Sequence, residues 1–578
     1  MAVEFHVMIR PLPIFLLAAM LPSVLAKSSG QAASGAVPLP TFRTQTELVT
    51  VPVVVTDKSG KHITGLKQSD FTLEENGSRR EISHFEEISP TSEAYRVPDK
   101  VAREYSNFIP TDANVRRTSI IVIDLLNTPF RHQAQTRKEI ISYLSKHVED
   151  NGPTSLCILD GNGLKQIHSF TSNTSVLIDA LKLVNGKLSS QDLQAAGNLV
   201  NPDSPHPFDD ATADINVADT STQLLEVMAE RVDADYAAYD QRLNTQKTLK
   251  ALEQIGQAYA GIPGRKALLW ATGGFPFFLN DPRSVIGIDS SLMQNYERTW
   301  QILNAANIAL YPIDSQGLLP PDTSQRGFAS SRTSVASRGS SLAPNRPTRL
   351  PIDARTNIED SLRTFAAATG GQACLNTNDL ANCFAKAATD SSQYYLLSYY
   401  LSQNDRKPGW RKLKVHVAVS SVEIRARDGF FIGDTKQHSE GSLKEQLDTA
   451  AVSPIDYTSI PLAIQLKEIT KAANGDHNVS FTLLAQSGAL TIDIADNNHV
   501  YVDIGAVVEN GKGQLARVLG QTIDAHIKPD NIAKVMKEGV SFTSDLVVPA
   551  GKATLLRFVV RDGQSGKMGS VTVPIHLE

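Results

Sequence analysis

The chain is poor in the features that usually announce a chemistry. It has three cysteines in 578 residues, too few for a disulfide-dense scaffold. It lacks a strong charge of either sign: a net charge of −5 over this length gives no reason to expect nucleic acid as a partner. Beyond the N-terminal segment no stretch is long and apolar enough to cross a bilayer. H-E-x-x-H, G-x-S-x-G and Walker A patterns are missing. The thirteen histidines are scattered, and none forms a metal-ligand pair at helical spacing. The commonest routes to zinc hydrolysis, serine acyl transfer and nucleotide hydrolysis are therefore not written in the sequence.

What is present describes a multidomain globular protein, with 41% hydrophobic and 20% charged residues. Arg10 precedes "PLPIFLLAAMLPSVLA", and Val24 and Ala26 stand at −3 and −1 of a cleavage site before Lys27. Residues 1–26 read as a secretory signal peptide, after whose removal no membrane span remains. The protein is expected to be exported, with periplasm, cell surface and medium all open. Cys374 and Cys383 stand close together in "QACLNTNDLANCF", and Cys157 lies in the apolar run "SLCILD". In an oxidising compartment Cys374 and Cys383 could pair. Three small buried hydrophobes is the alternative.

The grammar of the chain changes several times. Residues 27–41 are small, polar and Pro-rich, a flexible leader. Residues 42–92 read as short strands with turns at Asp57-Lys58-Ser59-Gly60 and Glu75-Asn76-Gly77, a small β module. Residues 93–117 read as a connector. From Thr118 strands alternate with helices through 432: "SIIVID", "TSLCILD", "GRKALLWATGG" and "NIALYPID" are buried strands, and "SSQYYLLSYYL" is the last. Alternation of this kind implies a parallel sheet covered on both faces. Two biased segments interrupt it. Residues 189–222 hold six aspartates and no Lys or Arg, and residues 320–350 hold five arginines and one aspartate. Each follows a predicted strand, so each should leave the carboxyl edge, where open α/β sheets bind ligands. A β hairpin closes the region, 433–455 reads as a linker, and 456–578 reads as a β-sandwich.

Six short motifs in one order, spanning about residues 42–432, carry a family resemblance. They are "LVTVPVVVTDKSGK…GLKQSDFTLEENG", "IVIDLLNTPF", "PGRKALLWATGGFP", "NIALYPIDSQGL", "ATGGQA" and "YYLLSYYL". The chain resembles the von Willebrand factor A-related domain proteins of acidobacteria. That resemblance implies an α/β fold class: a von Willebrand A-type, mainly parallel sheet wrapped by helices, flanked by N-terminal and C-terminal β modules. In the wider superfamily the carboxyl edge often holds a metal-ion-dependent adhesion site with a D-x-S-x-S loop, a threonine from a second loop and an aspartate from a third.

A hard cation needs converging oxygen ligands. Asp124 matches the first aspartate and Thr128 keeps a hydroxyl at the second serine. Leu126 takes the place of the first serine, and Asn127 offers an amide oxygen one residue out of step. Thr272 precedes Gly273, where the family pattern has aspartate, and Thr245 or Thr248 would supply the remaining threonine. The expectation is a degenerate site that binds no Mg or Ca at ordinary affinity, with Asp124, Asn127 and Thr128 as vestiges. Asp124 and Asn127 would instead hydrogen-bond the loop, and Thr128-Pro129 would start a helix. The expected binding edge comprises Asp124, Asn127, Thr128, Thr272, Gly273 and Asp314. The function this implies is a non-enzymatic adhesion or scaffold module that binds a protein partner. An envelope-associated enzyme or enzyme subunit, or a purely structural envelope component, are the alternatives.

Overall fold

The computed structural model describes residues 47–89, 104–107, 118–146, 152–187, 239–240, 242–274, 290–318, 354–401, 407–432, 440–486, 488–510, 512, 514–551 and 553–577. The proposed signal peptide and leader, the acidic segment 189–222 and the basic segment 320–350 lie outside these residues.

The parallel strands form because they are continuous apolar runs. Thr118–Asp124, Thr154–Asp160, Lys266–Thr272 and Ile308–Asp314 are buried along their whole length. Successive side chains point to opposite faces. Ile120 and Val122 enter a core with Leu268, Trp270 and Leu310, beneath Leu249, Leu252 and Ile255 of the helical segment 242–258. Ile121 and Ile123 enter a second core with Leu269 and Tyr311, beneath Ile140 and Leu144 of helix Phe130–Lys146 and Phe384 of helix Leu380–Ser392. Fully burying one such side chain stabilises by about 1.5–3 kcal/mol.

The expected von Willebrand A-type fold class is nevertheless overturned as a description of this chain. Among the described residues five sheets are present, and four are antiparallel throughout. Among the described strands, parallel pairing is confined to three pairs of one sheet, apart from a single bridge between Ile313 and Cys374, and that sheet's outer strand Gly163–Thr171 is itself antiparallel. Most strands obtain their backbone partners from antiparallel neighbours, so the architecture is predominantly antiparallel β.

Tyr394–Leu401, expected as the last strand of the parallel sheet, pairs antiparallel with Glu47–Asp57 and His84–Ile88. The closing hairpin strand Gly409–Val417 pairs with Phe71–Glu75. Segments on either side of the parallel strands therefore build one two-sheet unit, with Val51, Val53, Leu73, Leu397, Tyr399 and Leu413 in a common core. Within the segment expected as a linker, Glu440–Val452 is a helix whose Ala450 joins the core beneath the parallel strands. Within the expected connector, Glu104–Ser106 adds an edge strand to Leu462–Lys471. The C-terminal region consists of two four-stranded antiparallel sheets sharing one core, in which the rings of Phe481 and Phe558 lie 4.7 Å apart.

Candidate functional site

Four strand ends converge at the carboxyl edge of the parallel strands. Asp124 ends its strand with its side chain on the same face as Ile120 and Val122, and it is completely buried. Its carboxylate accepts four hydrogen bonds. Oδ1 takes the Asn127 backbone N–H at 2.9 Å. Oδ2 takes the Asn127 amide at 2.8 Å, the Thr272 hydroxyl at 2.8 Å and the Trp270 indole N–H at 3.1 Å. Burial pushes this carboxyl up from its ordinary 3.8 to about 6, against the pull of the donated hydrogen bonds.

The neighbours are held as firmly. The Asn127 amide also donates to Thr248 Oγ1 at 3.0 Å, and the Thr248 hydroxyl donates to the Asn244 carbonyl at 2.8 Å. Thr128 Oγ1 accepts the Gly273 N–H at 2.7 Å, and the helix begins at Phe130. Asp124, Asn127, Thr128, Thr272 and Gly273 thus meet in one network. Of the two candidate threonines, Thr248 reaches that network directly; Thr245 is buried in the same helical segment. Asp314 accepts the Gln316 N–H at 2.9 Å, and the Ser315 N–H donates to the Thr272 carbonyl at 2.8 Å, fixing the turn after its strand. Cys374 and Cys383 are joined as a disulfide with Cα atoms 6.0 Å apart. Cys157 is free and buried, and burial pushes its thiol up to about 12.

These residues do not fit the metal that the family resemblance implies. Both Asp124 oxygens are occupied by protein donors. Asn127 turns its NH2 group, and not its oxygen, towards the carboxylate. Leu126 is buried in the apolar core. Gly273 leaves no space for the carboxylate the pattern expects: a Cβ there would stand 2.8 Å from Thr128 Cα and Pro129 Cδ and 2.9 Å from the Asn127 carbonyl. Among the described residues no group of three His, Cys, Asp or Glu side chains is placed to hold a metal ion.

Two participants escaped the sequence reading. Trp270 is one; its signal was its position two residues before Thr272 on one strand, which puts both on the same face. Asp160 is the other, ending the neighbouring strand at the same edge. It accepts from Lys165 Nζ at 2.9 Å and Lys187 Nζ at 2.5 Å. Burial raises its carboxyl, but the two lysines together with the Asn162 N–H hold it below the usual range.

Large apolar groups surround this polar centre. Phe130 is 50% exposed, Leu183 80% and Leu318 57%. Phe130 sits against Gly186, where an added Cβ would meet the ring at 2.8 Å, three residues from Leu183. Leu318 follows the edge turn after Asp314, its N–H held by Asn378 Oδ1 at 2.9 Å.

The sequence matches no known protein family and no curated protein. Among the described residues no helix is long and apolar enough to cross a membrane.

Proposed function

We propose that this is an exported, non-enzymatic binding module of adhesion or scaffold type, which meets a protein partner at the carboxyl edge of its parallel strands. The observation that carries the reading is the contrast at that edge. Its central carboxylate is buried among four internal donors, which supports a surface that recognises its partner without a bridging cation or a catalytic proton. Its rim exposes Phe130, Leu183 and Leu318, side chains whose burial against a partner would be favourable. Networks of this kind make a rigid platform, and a rigid surface loses little conformational entropy on binding.

The test uses the full exported chain. Envelope proteins are cross-linked to the wild type and to a Phe130→Asp/Leu183→Asp variant. A control carries Val547→Asp on the C-terminal β unit, where Val547 is 51% exposed. The reading expects a discrete partner band with wild type and control, lost with the rim variant. A band that survives the rim substitutions, or disappears equally in the control, removes the edge as the binding surface.

A further inference from the structure

Away from the carboxyl edge, two arginines are buried with no carboxylate in hydrogen-bonding contact; Asp390 favours the charge of Arg265 from farther off, and Arg427 has no such neighbour among the described residues. Arg265 is 3% exposed and Arg427 is 8% exposed. Arg265 Nη2 donates to the Tyr311 hydroxyl at 3.0 Å and the Gly370 carbonyl at 2.6 Å. Arg427 Nη2 donates to the Thr50 carbonyl at 2.6 Å, and Nη1 lies 3.5 Å from the Asn304 carbonyl. All these acceptors are neutral, and neither arginine forms an ion pair among the described residues. The Nε atom of each is buried with no hydrogen-bond partner.

Both arginines line one cavity between the Glu47–Asp57 strand and the amino-terminal ends of the parallel strands. Pro52, Asn304, Asn307 and Thr369 line it with them. Its free space is about 10 Å³, about the room one water-sized occupant needs. Aromatic faces help hold the two cations, with Tyr394 6.0 Å from Arg265 and Phe430 5.5 Å from Arg427. Asp390 offsets part of the charge at Arg265, but Arg427 has only carbonyls and a ring face, and burial pushes it down to about 10. Uncompensated buried charge is costly, and protein interiors almost always pair it.

We propose that this cavity is a binding site for a monovalent monatomic anion of the halide class, held between the Arg265 and Arg427 guanidinium groups. The ion would accept from the two orphaned Nε–H groups and supply the missing negative charge. Because Arg427 also grips Thr50 of the antiparallel unit while Arg265 grips Gly370 beside the parallel strands, the ion would couple these two parts of the chain.

The test follows thermal unfolding of the full chain in chloride, bromide or gluconate at constant ionic strength. An ion bound to the native state raises Tm by mass action. Chloride and bromide should give a saturating rise of roughly 2–4 °C over gluconate, the shift expected from about 1 kcal/mol in a domain of this size class. Arg427→Met should abolish the halide dependence. Should that variant fail to fold, crystals of the wild type grown in bromide provide an independent readout: an anomalous peak within contact distance of both guanidinium groups. Equal Tm in halide and gluconate, or a water in the cavity with bromide only elsewhere, overturns the proposal.

Discussion

Replacing Asp124 by asparagine should change the pH dependence of stability in a defined window. Asp124 titrates at about 6 in the folded protein, raised from 3.8 by complete burial. A carboxyl whose folded pKa is raised binds its proton more tightly in the native state than in the unfolded chain. Its contribution is therefore most favourable below about pH 4, where both states are protonated, and is lost as pH rises through about 6. The separation corresponds to about 3 kcal/mol between those limits. The geometry explains how the acid form is accommodated. The Thr272 hydroxyl lies 2.8 Å from Asp124 Oδ2 and also 2.8 Å from the Gly274 carbonyl. It can turn its one proton to Gly274 and accept from a protonated Asp124. The amide introduced by Asp124→Asn does not titrate, so its penalty for misplacing a donor is independent of pH. Urea unfolding of both proteins from about pH 4 to about pH 7 isolates the difference, since every other group is common to both. The wild type should lose stability relative to the variant by about 2.4 kcal/mol as pH rises across that range, most of the full separation. Parallel curves would refute the assignment of a raised Asp124 and with it the picture of a sealed, desolvated carboxylate.

Gly273→Ala should destabilise by about 2–4 kcal/mol, combining the cost of overpacking with loss of the bond from the Gly273 N–H to Thr128; denaturant titration measures it, and a change near zero would mean that this edge is looser than its contacts indicate. Magnesium, calcium or manganese at millimolar concentration should leave Tm unchanged, because Asp124 has no free oxygen to offer; a cation-specific rise that disappears in Asp124→Asn would restore metal binding at the edge.

Much of the local structure was legible in the sequence. "SIIVID", "TSLCILD", "KALLWAT" and "IALYPID" are apolar runs of strand length, and each is a buried strand. Their neighbours were less legible. "YYLLSYYL" has the composition of a strand, but composition does not choose between a parallel core and an antiparallel partner. That choice rests on Glu47–Asp57, far away in sequence, with Val51 opposite Leu397 and Val53 opposite Tyr395. The meeting of Asp124, Asn127, Thr128, Thr272 and Gly273 was expected only through the family pattern that the resemblance implies. The direction of the Asn127 amide was not, because it depends on Thr248 of the helical segment packed above it. The buried arginine pair left no pattern at all: Arg265 and Arg427 are distant in sequence, and only the fold brings them to one cavity.

The two-sheet antiparallel unit has a consequence for how the chain must be made. Its first strand, Glu47–Asp57, pairs with Tyr394–Leu401, and the Leu66 N–H bonds a tyrosine hydroxyl 329 residues later. During synthesis from the N-terminus, Val49, Val51, Val53 and Val55 emerge as a β-branched ribbon long before their native partner exists. Contacts of such separation are slow to form because the intervening chain must be closed first. An unpaired strand edge of this composition is also a template for association with other chains. The parallel strands pair over shorter separations, Ser119 with Thr154 and Ile120 with Leu268, and can gather while that edge waits. Maturation of this protein is thus exposed to a holding factor or a competing aggregate at one place, the valine-rich strand, and for the time needed to deliver residue 401.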